Sequence, residues 1–285
     1  MEPAKRLYSL WDHGEELDLG NSRARQAEWK GRQALFLNGT NSPVFIKEEI
    51  PFKSYRLQAE VAIPEEVGFI GLIFGARDTS NYELVYMPPV EIQYDPIMNG
   101  SMTWQIYNGP AYQKPLPDTT GEWHTFTVEV HPHGAAVYLD DSPEPQLVIS
   151  NLQHGASAGR IGFWNFLPSY IRNLSVEEIE PAAVEQRSAL SGYLPSETLV
   201  TEWQVSQPYL HGCPPTAGQP WTKAVVEENG TLNINRLYKA EPGATLEARA
   251  EITLAEEKET LLSFGFSDHL RLWINEQEVY QGKSL

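Results

Sequence analysis

Between residues 52 and 180, short β-branched and aromatic runs alternate with clusters of Gly, Pro, Asn and Asp. The runs include YRLQAEVAI, GFIGLIFGARD, YELVYM, TWQIY, WHTFTVEV, AAVYLDD, QLVISNL and GRIGFWNF, and the breaks include RDTSN, MNGS, HPHG and DDSPEP. Period-two alternation closed by turn residues predicts antiparallel strands joined by tight loops, not a parallel sheet with crossover helices. Such a chain is an all-β sandwich. FIGLIFGA is apolar on both faces and belongs at the centre of a sheet covered above and below.

The texture changes once, at EEIEPAAVEQRSALSGYLPSE, residues 177–197, which is rich in Ala, Glu, Ser and Pro. It reads as a linker and divides the chain into a sandwich over 1–180, a linker over 181–197 and a second sandwich over 198–285. In the second part the strand signals resume with LVTEWQVS, WTKAVVEE, GTLNINRLY, ATLEARAEITL, ETLLSFGFSD and HLRLWINEQEVYQG. No internal repeat or low-complexity tract is visible.

A formal charge of -17 over 285 residues gives a surface that repels phosphate backbones, which argues against nucleic acid and anionic membrane as partners. No run approaches the ~18 apolar residues of a membrane span. The opening MEPAKRLYSLWDHGEELDLG lacks the basic start and apolar run of a signal peptide. The sequence as it stands therefore reads as cytoplasmic, or as extracellular had a leader been removed. The single cysteine, Cys213, has no partner motif and reads as a bystander.

Four segments in order, FKSYRLQAEVAI, GFIGLIFGARDTSNYELVY, GEWHTFTVEVHPHGAAVYLDD and AGRIGFWNFLPSYIRNLSVEEI, resemble the concanavalin A-like lectin/glucanase superfamily, in particular its bacterial laminin-G-like modules. Residues 198–285, with EWQVSQPY and LLSFGFSDHLRLWINEQEVYQG, resemble a galactose-binding-like β-sandwich. The resemblances imply an all-β chain: a concanavalin A-like jelly-roll sandwich followed by a second, smaller β-sandwich short of its full strand count. Both folds serve as carbohydrate-binding modules and as inert accessory domains, so fold alone does not assign function.

Retaining glucanases of the first fold carry acidic residues at alternating positions, two carboxylates about 5 Å apart on one strand face. That E-x-D-x-x-E pattern is missing here. EEIE at 177–180 comes nearest but sits at the linker, where it reads as a solvated acidic run; EIQYD places Glu91, Gln93 and Asp95 on one strand face, the one spacing near the aromatic stretch that suggests paired carboxylates. YELV supplies Tyr82 and Glu83 of the YE-x-Q motif of the fold's keto-glycoside branch, without the glutamine. No catalytic residue is assigned on this ground. HPH at 131–133 reads as a hairpin turn, and no metal site is assigned. Modules of this fold often hold a structural calcium, for which Asp78 or Asp140 and Asp141 would serve, although turn aspartates have backbone reasons of their own.

The stretch NYELVYMPPVEIQYDPIMNGSMTWQIYNG, residues 81–109, joins flat aromatic rings to planar amides. Neutral sugars are held by that chemistry: apolar faces for the C–H side of the ring, amides and carboxylates for the hydroxyls. The expected ligand set is Arg77, Glu83, Gln93, Tyr94, Asn99, Trp104, Gln105 and Tyr107. It lies on a concave face formed by strands near 69–77, 82–87 and 102–107, with Gly71 and Gly75 as a shallow floor and Gln105 and Tyr107 open to solvent. Core filling is the competing account of Tyr82, Leu84, Tyr86, Trp104 and Ile106. Three functions compete: a non-catalytic carbohydrate-binding protein, a glycoside-acting enzyme with acids among Glu83, Glu91 and Asp95, and a structural or protein-interaction protein. At the C-terminal end, Trp273 and Tyr280 lie in strands with nothing following to cover them, which predicts a homo-oligomer or a strand-donating partner, or a longer parent chain.

Overall fold

Alternation writes the core directly. In Tyr55–Ala62, residues Tyr55, Leu57, Ala59 and Val61 are fully buried while Arg56, Gln58 and Glu60 stay partly exposed. The same rhythm recurs in Trp123–Val130, where Phe126, Val128 and Val130 point inward. A computed structural model describes residues 4–12, 14–155, 157–184, 199–212, 218–257 and 259–284. Two compact units divide the chain, Met1–Ala250 and Glu251–Leu285.

The first unit is a jelly-roll β-sandwich of two antiparallel sheets. The first sheet runs, edge to edge, Leu147–Ile149, Ala135–Leu139, Trp123–Val130, Tyr55–Ala62, Ser169–Glu178, Arg32–Leu37 and Arg25–Trp29, with Lys5–Tyr8 added beside Ser169–Glu178. The second runs Gln113–Pro115, Glu91–Tyr94, Asn81–Met87, Phe69–Asp78, Gly159–Phe166, Val44–Ile50 and Leu17–Asp18. As FIGLIFGA required, Phe69–Asp78 is central in its sheet and buried along most of its length. Leu57, Val61, Phe126 and Ile171 of the first sheet meet Leu72, Phe74, Val85 and Phe163 of the second in one apolar core, each contributing about 1.5–3 kcal/mol of burial.

The outer face of the second sheet carries its own apolar cluster of Phe45, Ile73, Tyr82, Leu84, Tyr86 and Trp164, joined by Ile97. Gly71 belongs to this packing. A Cβ there would meet Leu84 Cδ1 and the Val85 carbonyl at 2.8 Å and Tyr86 Cβ at 2.9 Å. The floor expected at Gly71 is thus the seat of Tyr86 and Leu84 and is closed to a ligand.

Residues 199–250 add short strands to the same unit: Glu202–Val205 pairs with Thr222–Val225 and Ala248–Arg249, and Tyr209–Leu210 pairs with Ala244–Thr245. GTLNINRLY does not form the expected strand. Ile234–Arg236 is a 3-10 turn whose cap, Asn233, accepts from Asn235 N at 3.1 Å, because an Asn side chain offers the backbone a local alternative to a ladder. Residues 185–197 of the expected linker, and Cys213, lie outside the described residues.

The second unit contains one hairpin, His269–Ile274 with Gln277–Lys283. Tyr280 packs against Phe264 and Phe266. Yet Leu261 is 89% exposed and Trp273 47%, and Ile274, Val279 and Tyr280 are also exposed. We propose that this apolar hairpin, whose two edges are unpaired among the described residues, is covered by a second polypeptide through strand pairing or face packing. Sedimentation velocity at micromolar concentration should show concentration-dependent association that Trp273→Ser with Val279→Ser weakens. A monomer at all concentrations would refute it.

Candidate functional site

Strand alternation splits the expected ligand residues between two faces of the second sheet. On Asn81–Met87, Tyr82, Leu84 and Tyr86 point outward, while Glu83 shares the inward face with Val85 and Met87 of the core. On the next strand Tyr94 points inward and Gln93 outward. Glu83 and Tyr94 therefore meet inside the sandwich. The Tyr94 hydroxyl donates to Glu83 Oε2 at 2.5 Å, His154 N donates to Oε1 at 2.8 Å, and Gln153 N donates to the Tyr94 oxygen at 3.1 Å. Glu83 is 0% exposed. Burial pushes its carboxyl up to about 7, against the pull of the Tyr94 and His154 hydrogen bonds and of the Arg236 and Arg77 charges.

TWQIY is a turn and not a strand. Asp95 Oδ1 accepts from Thr103 N at 2.8 Å and from the Thr103 hydroxyl at 2.9 Å, and the amides of Ile106 and Tyr107 both donate to Thr103 O. A carboxylate that captures the amide opening a turn competes successfully with a ladder. The turn lifts Trp104 and Gln105 into solvent, the indole 54% exposed. It also swings Tyr107 inward, fully buried against Tyr112 and Tyr94 at ring separations of 5.2 and 6.1 Å. Gln105 is thus accessible as expected, and Tyr107 is not. Trp104 is not core, and Ile106 only borders it.

What covers the rest is the chain's own segment 227–236. Glu227, nearly buried, accepts from Arg236 Nε at 2.7 Å and Nη2 at 2.6 Å, and from the Tyr107 hydroxyl at 2.9 Å. Arg236 Nη1 donates to Gln153 O at 2.9 Å. Asn229 donates to Ile106 O at 2.6 Å, Asn99 donates to Asn235 O at 2.8 Å, and Glu228 accepts from Tyr112 and Asn151. Gln93 Nε2 donates to Tyr107 O at 3.1 Å. Buried polar groups need partners, and here the protein supplies them. Of the expected set, Glu83, Gln93, Tyr94 and Tyr107 are buried, Asn99 is partly so, and Arg77, Trp104 and Gln105 are exposed. Arg77 donates to His154 O.

The candidate acids do not converge. Glu91 and Asp95 point outward and Glu83 inward, so a sheet separates Glu83 from the other two. Glu91 and Asp95 are four residues apart, about 13 Å between Cα atoms at strand rise. Asp95 is pushed up to about 7 by burial, opposed by its bonds from Thr103, and its Oδ2 has no hydrogen-bond partner among the described residues.

Among the described residues no group of three His, Cys, Asp or Glu could hold a metal. Asp78 accepts from Ser80 N and the Asn81 amide, and Asp140 from Thr125 N and, across 2.9 Å, His124 Nδ1. Both aspartates serve their turns. His131 closes its hairpin through N–H to Gly134 O, and its Nδ1 accepts from Ala182 N.

The outer face of the first sheet holds a cluster that the sequence reading passed over. Trp123 and Tyr170 sit opposite the small Ala62 from either side, and Phe36 sits opposite Tyr170. Trp29 stacks on Tyr170 (5.4 Å, 19° between planes) and meets Trp123 edge-on at 5.4 Å. Three cations lie over these rings: Arg25 4.7 Å from Phe36, Lys30 5.1 Å from Trp29 and Arg32 5.9 Å from Trp123. The available signal was period-two spacing, Arg25, Ala27, Trp29 and then Arg32, Ala34, Phe36, which puts all six on one face.

No family model and no curated protein matches the sequence. Solved structures with a similar chain trace include the carbohydrate-binding module CBM66 from Bacillus subtilis, with 13% identity over 56% of this chain and 98% of that one, at a TM-score of 0.44. The transglycosylase Crh5 in complex with NAG shares 9% identity over 64% of this chain and 89% of that one, also at 0.44. A Bacillus subtilis protein of unknown function with a galectin-like fold shares 11% over 64% and 99%, at 0.41. At this distance the ligand has to be argued from the chain's own residues.

Arg236→Ala should cost about 3 kcal/mol or more, because it leaves the Glu227 carboxylate buried without its cation. Adding Glu227→Gln should recover part of the loss in urea melts. The pH dependence has a sign. The native state keeps the Glu83 proton that the unfolded chain releases between about pH 4.5 and pH 7, so the stabilisation present at acid pH is lost as pH rises through that window. His154, lowered to about 4 mainly by burial, acts oppositely, losing stability as pH falls below 6.5. Glu83→Gln should therefore gain on the wild type by on the order of 3 kcal/mol between pH 4.5 and pH 7.5 in paired melts.

Proposed function

We propose that the protein is a non-catalytic carbohydrate-binding protein, with a concanavalin A-like, laminin-G-like sandwich as its ligand-bearing part. The observation that carries this reading is Trp104. An indole more than half exposed is held on a turn pinned by Asp95 and Thr103, with the Gln105 amide exposed beside it. A fixed flat apolar face next to planar amides is what a neutral sugar ring requires, and presenting it pre-ordered avoids the entropy of fixing a loop on binding. Arg77 and Asn99 remain in the proposed ligand set; Glu83, Gln93, Tyr94 and Tyr107 act beneath it as support. The proposal invokes no cofactor.

The sheet between Glu83 and the other two acids favours binding over hydrolysis, since Glu83 cannot face Glu91 or Asp95 across one glycosidic bond. The galactose-binding-like resemblance of residues 198–285 fits an accessory role, in which segment 227–236 braces the ligand-bearing sandwich.

A glycan array followed by calorimetry tests the reading. Trp104→Ala should weaken binding at least about tenfold, in line with the loss of a central aromatic anchor, and leave the melting temperature unchanged, because the indole is outside the core. No reducing sugar should be released from the bound glycan. Release abolished by Glu91→Gln would promote an enzyme, and an array with no sugar-dependent signal would leave a protein-interaction role.

A further inference from the structure

We infer that the outer face of the first sheet is a second ligand surface, built to hold an acidic polysaccharide, a sugar chain bearing spaced carboxylates or sulfates. This rests on the reading that the protein binds glycans and assigns that activity a second surface and a charge class.

The face is aromatic underneath and cationic on top. Trp29, Phe36, Trp123 and Tyr170 are each half-buried, and exposed Arg25, Lys30 and Arg32 lie across Phe36, Trp29 and Trp123. The ring faces on which a neutral sugar would stack are already covered by charge. Stacking also holds the cations at low conformational cost, which suits planar, bidentate recognition of carboxylate or sulfate by arginine.

The local balance is positive on a strongly acidic protein. Four cations, Arg25, Lys30, Arg32 and Arg172, face two carboxylates: Lys30 pairs with Glu122 at 2.6 Å, and Glu60 is shared by Arg32 at 2.7 Å and Arg172 at 3.7 Å. Arg25 has no carboxylate partner among the described residues. The -17 net charge acts mainly beyond about 8–10 Å, where salt screens it, so the nearby cations dominate at contact. Nucleic acid, with a charge every ~1.7 Å of duplex, meets that repulsion along its whole length. A sugar chain with sparser acids meets it less. An acidic peptide would be expected to pair with the edge of Arg25–Trp29 that is unpaired among the described residues, whereas the Arg25, Lys30 and Arg32 side chains lie over the rings of the sheet face.

The test is calorimetry of the full chain with polygalacturonate, its fully methyl-esterified form, poly-glutamate and duplex DNA. Polygalacturonate should bind, and the ester at least about tenfold more weakly. Arg25→Ser with Arg32→Ser should cost about tenfold, roughly 1.4 kcal/mol over the two contacts. Arg25→Ser alone, which breaks no ion pair, should retain its fold and show a few-fold loss. Trp104→Ala should leave polygalacturonate binding unchanged.

Polygalacturonate affinity equal to that of the ester, or untouched by both arginine variants, overturns the inference. Poly-glutamate or DNA binding as tightly through the same arginines overturns the assignment to a glycan. If neutral glycans bind through Trp104 while polygalacturonate does not, only this inference falls. If no glycan binds at all, the carbohydrate reading falls with it.

Discussion

A carboxyl group buried in a protein interior needs a cation and hydrogen bonds to replace its lost water. Glu227 meets that condition through both Arg236 contacts and the Tyr107 hydroxyl, and much of the first unit's surface arrangement follows. Satisfying Glu227 requires Tyr107 to turn inward, which requires the turn opened at Thr103. That turn is held by Asp95, and its other product is an exposed Trp104. Arg236 in turn binds the Gln153 carbonyl, whose own amide supports Tyr94 over Glu83. Groups linked in one such network are expected to couple energetically when mutated, unlike distant surface pairs.

The sandwich was legible because its signals are local. Alternation in YRLQAEVAI, YELVYM, WHTFTVEV and GRIGFWNF states which side chains share a face, and the structure keeps that parity in all four strands. Local pattern fails where two local preferences compete. TWQIY alternates like a strand, but the Asp95 carboxylate reaches Thr103 N first; GTLNINRLY alternates too, and Asn233 folds it into a turn. Alternation also says nothing of what lies above a face. Tyr82, Leu84 and Tyr86 are outward and still buried, because Ile97 and its neighbours fold over them.

The candidate site was less legible for a different reason. Gln93, Asn99 and Tyr107 have the composition of a sugar site, but amides and phenols that bind sugar also bind backbone. Gln93 is claimed by the Tyr107 carbonyl, and the partners that claim Asn99 and Tyr107, namely Glu227, Asn235 and Arg236, are more than a hundred residues away, a separation over which a single sequence carries no pairing signal. The basic aromatic face was the reverse case. Arg25 and Trp29 on one strand, and Arg32 and Phe36 on the next, are each four apart within a span of twelve residues, so the pattern was present. Aromatic richness elsewhere outweighed it.

The two acids most perturbed by burial stand on opposite faces of one sheet. Glu83 and Asp95 are both pushed up to about 7, the range in which a general acid works. A perturbed carboxyl is a catalytic asset only when a second one faces it across a bond. Here the pleat of one sheet lies between them, and each is engaged in structure: Glu83 with Tyr94 and His154, Asp95 with Thr103. Neither substitution nor a change of pH brings them to the same face, because strand parity fixes the direction of every side chain and only a one-residue register slip reverses it. Such a slip would also carry Val85 and Met87 out of the core and Tyr82, Leu84 and Tyr86 into it. The hydrophobic pattern that makes the sandwich is therefore the same constraint that keeps its buried acids apart.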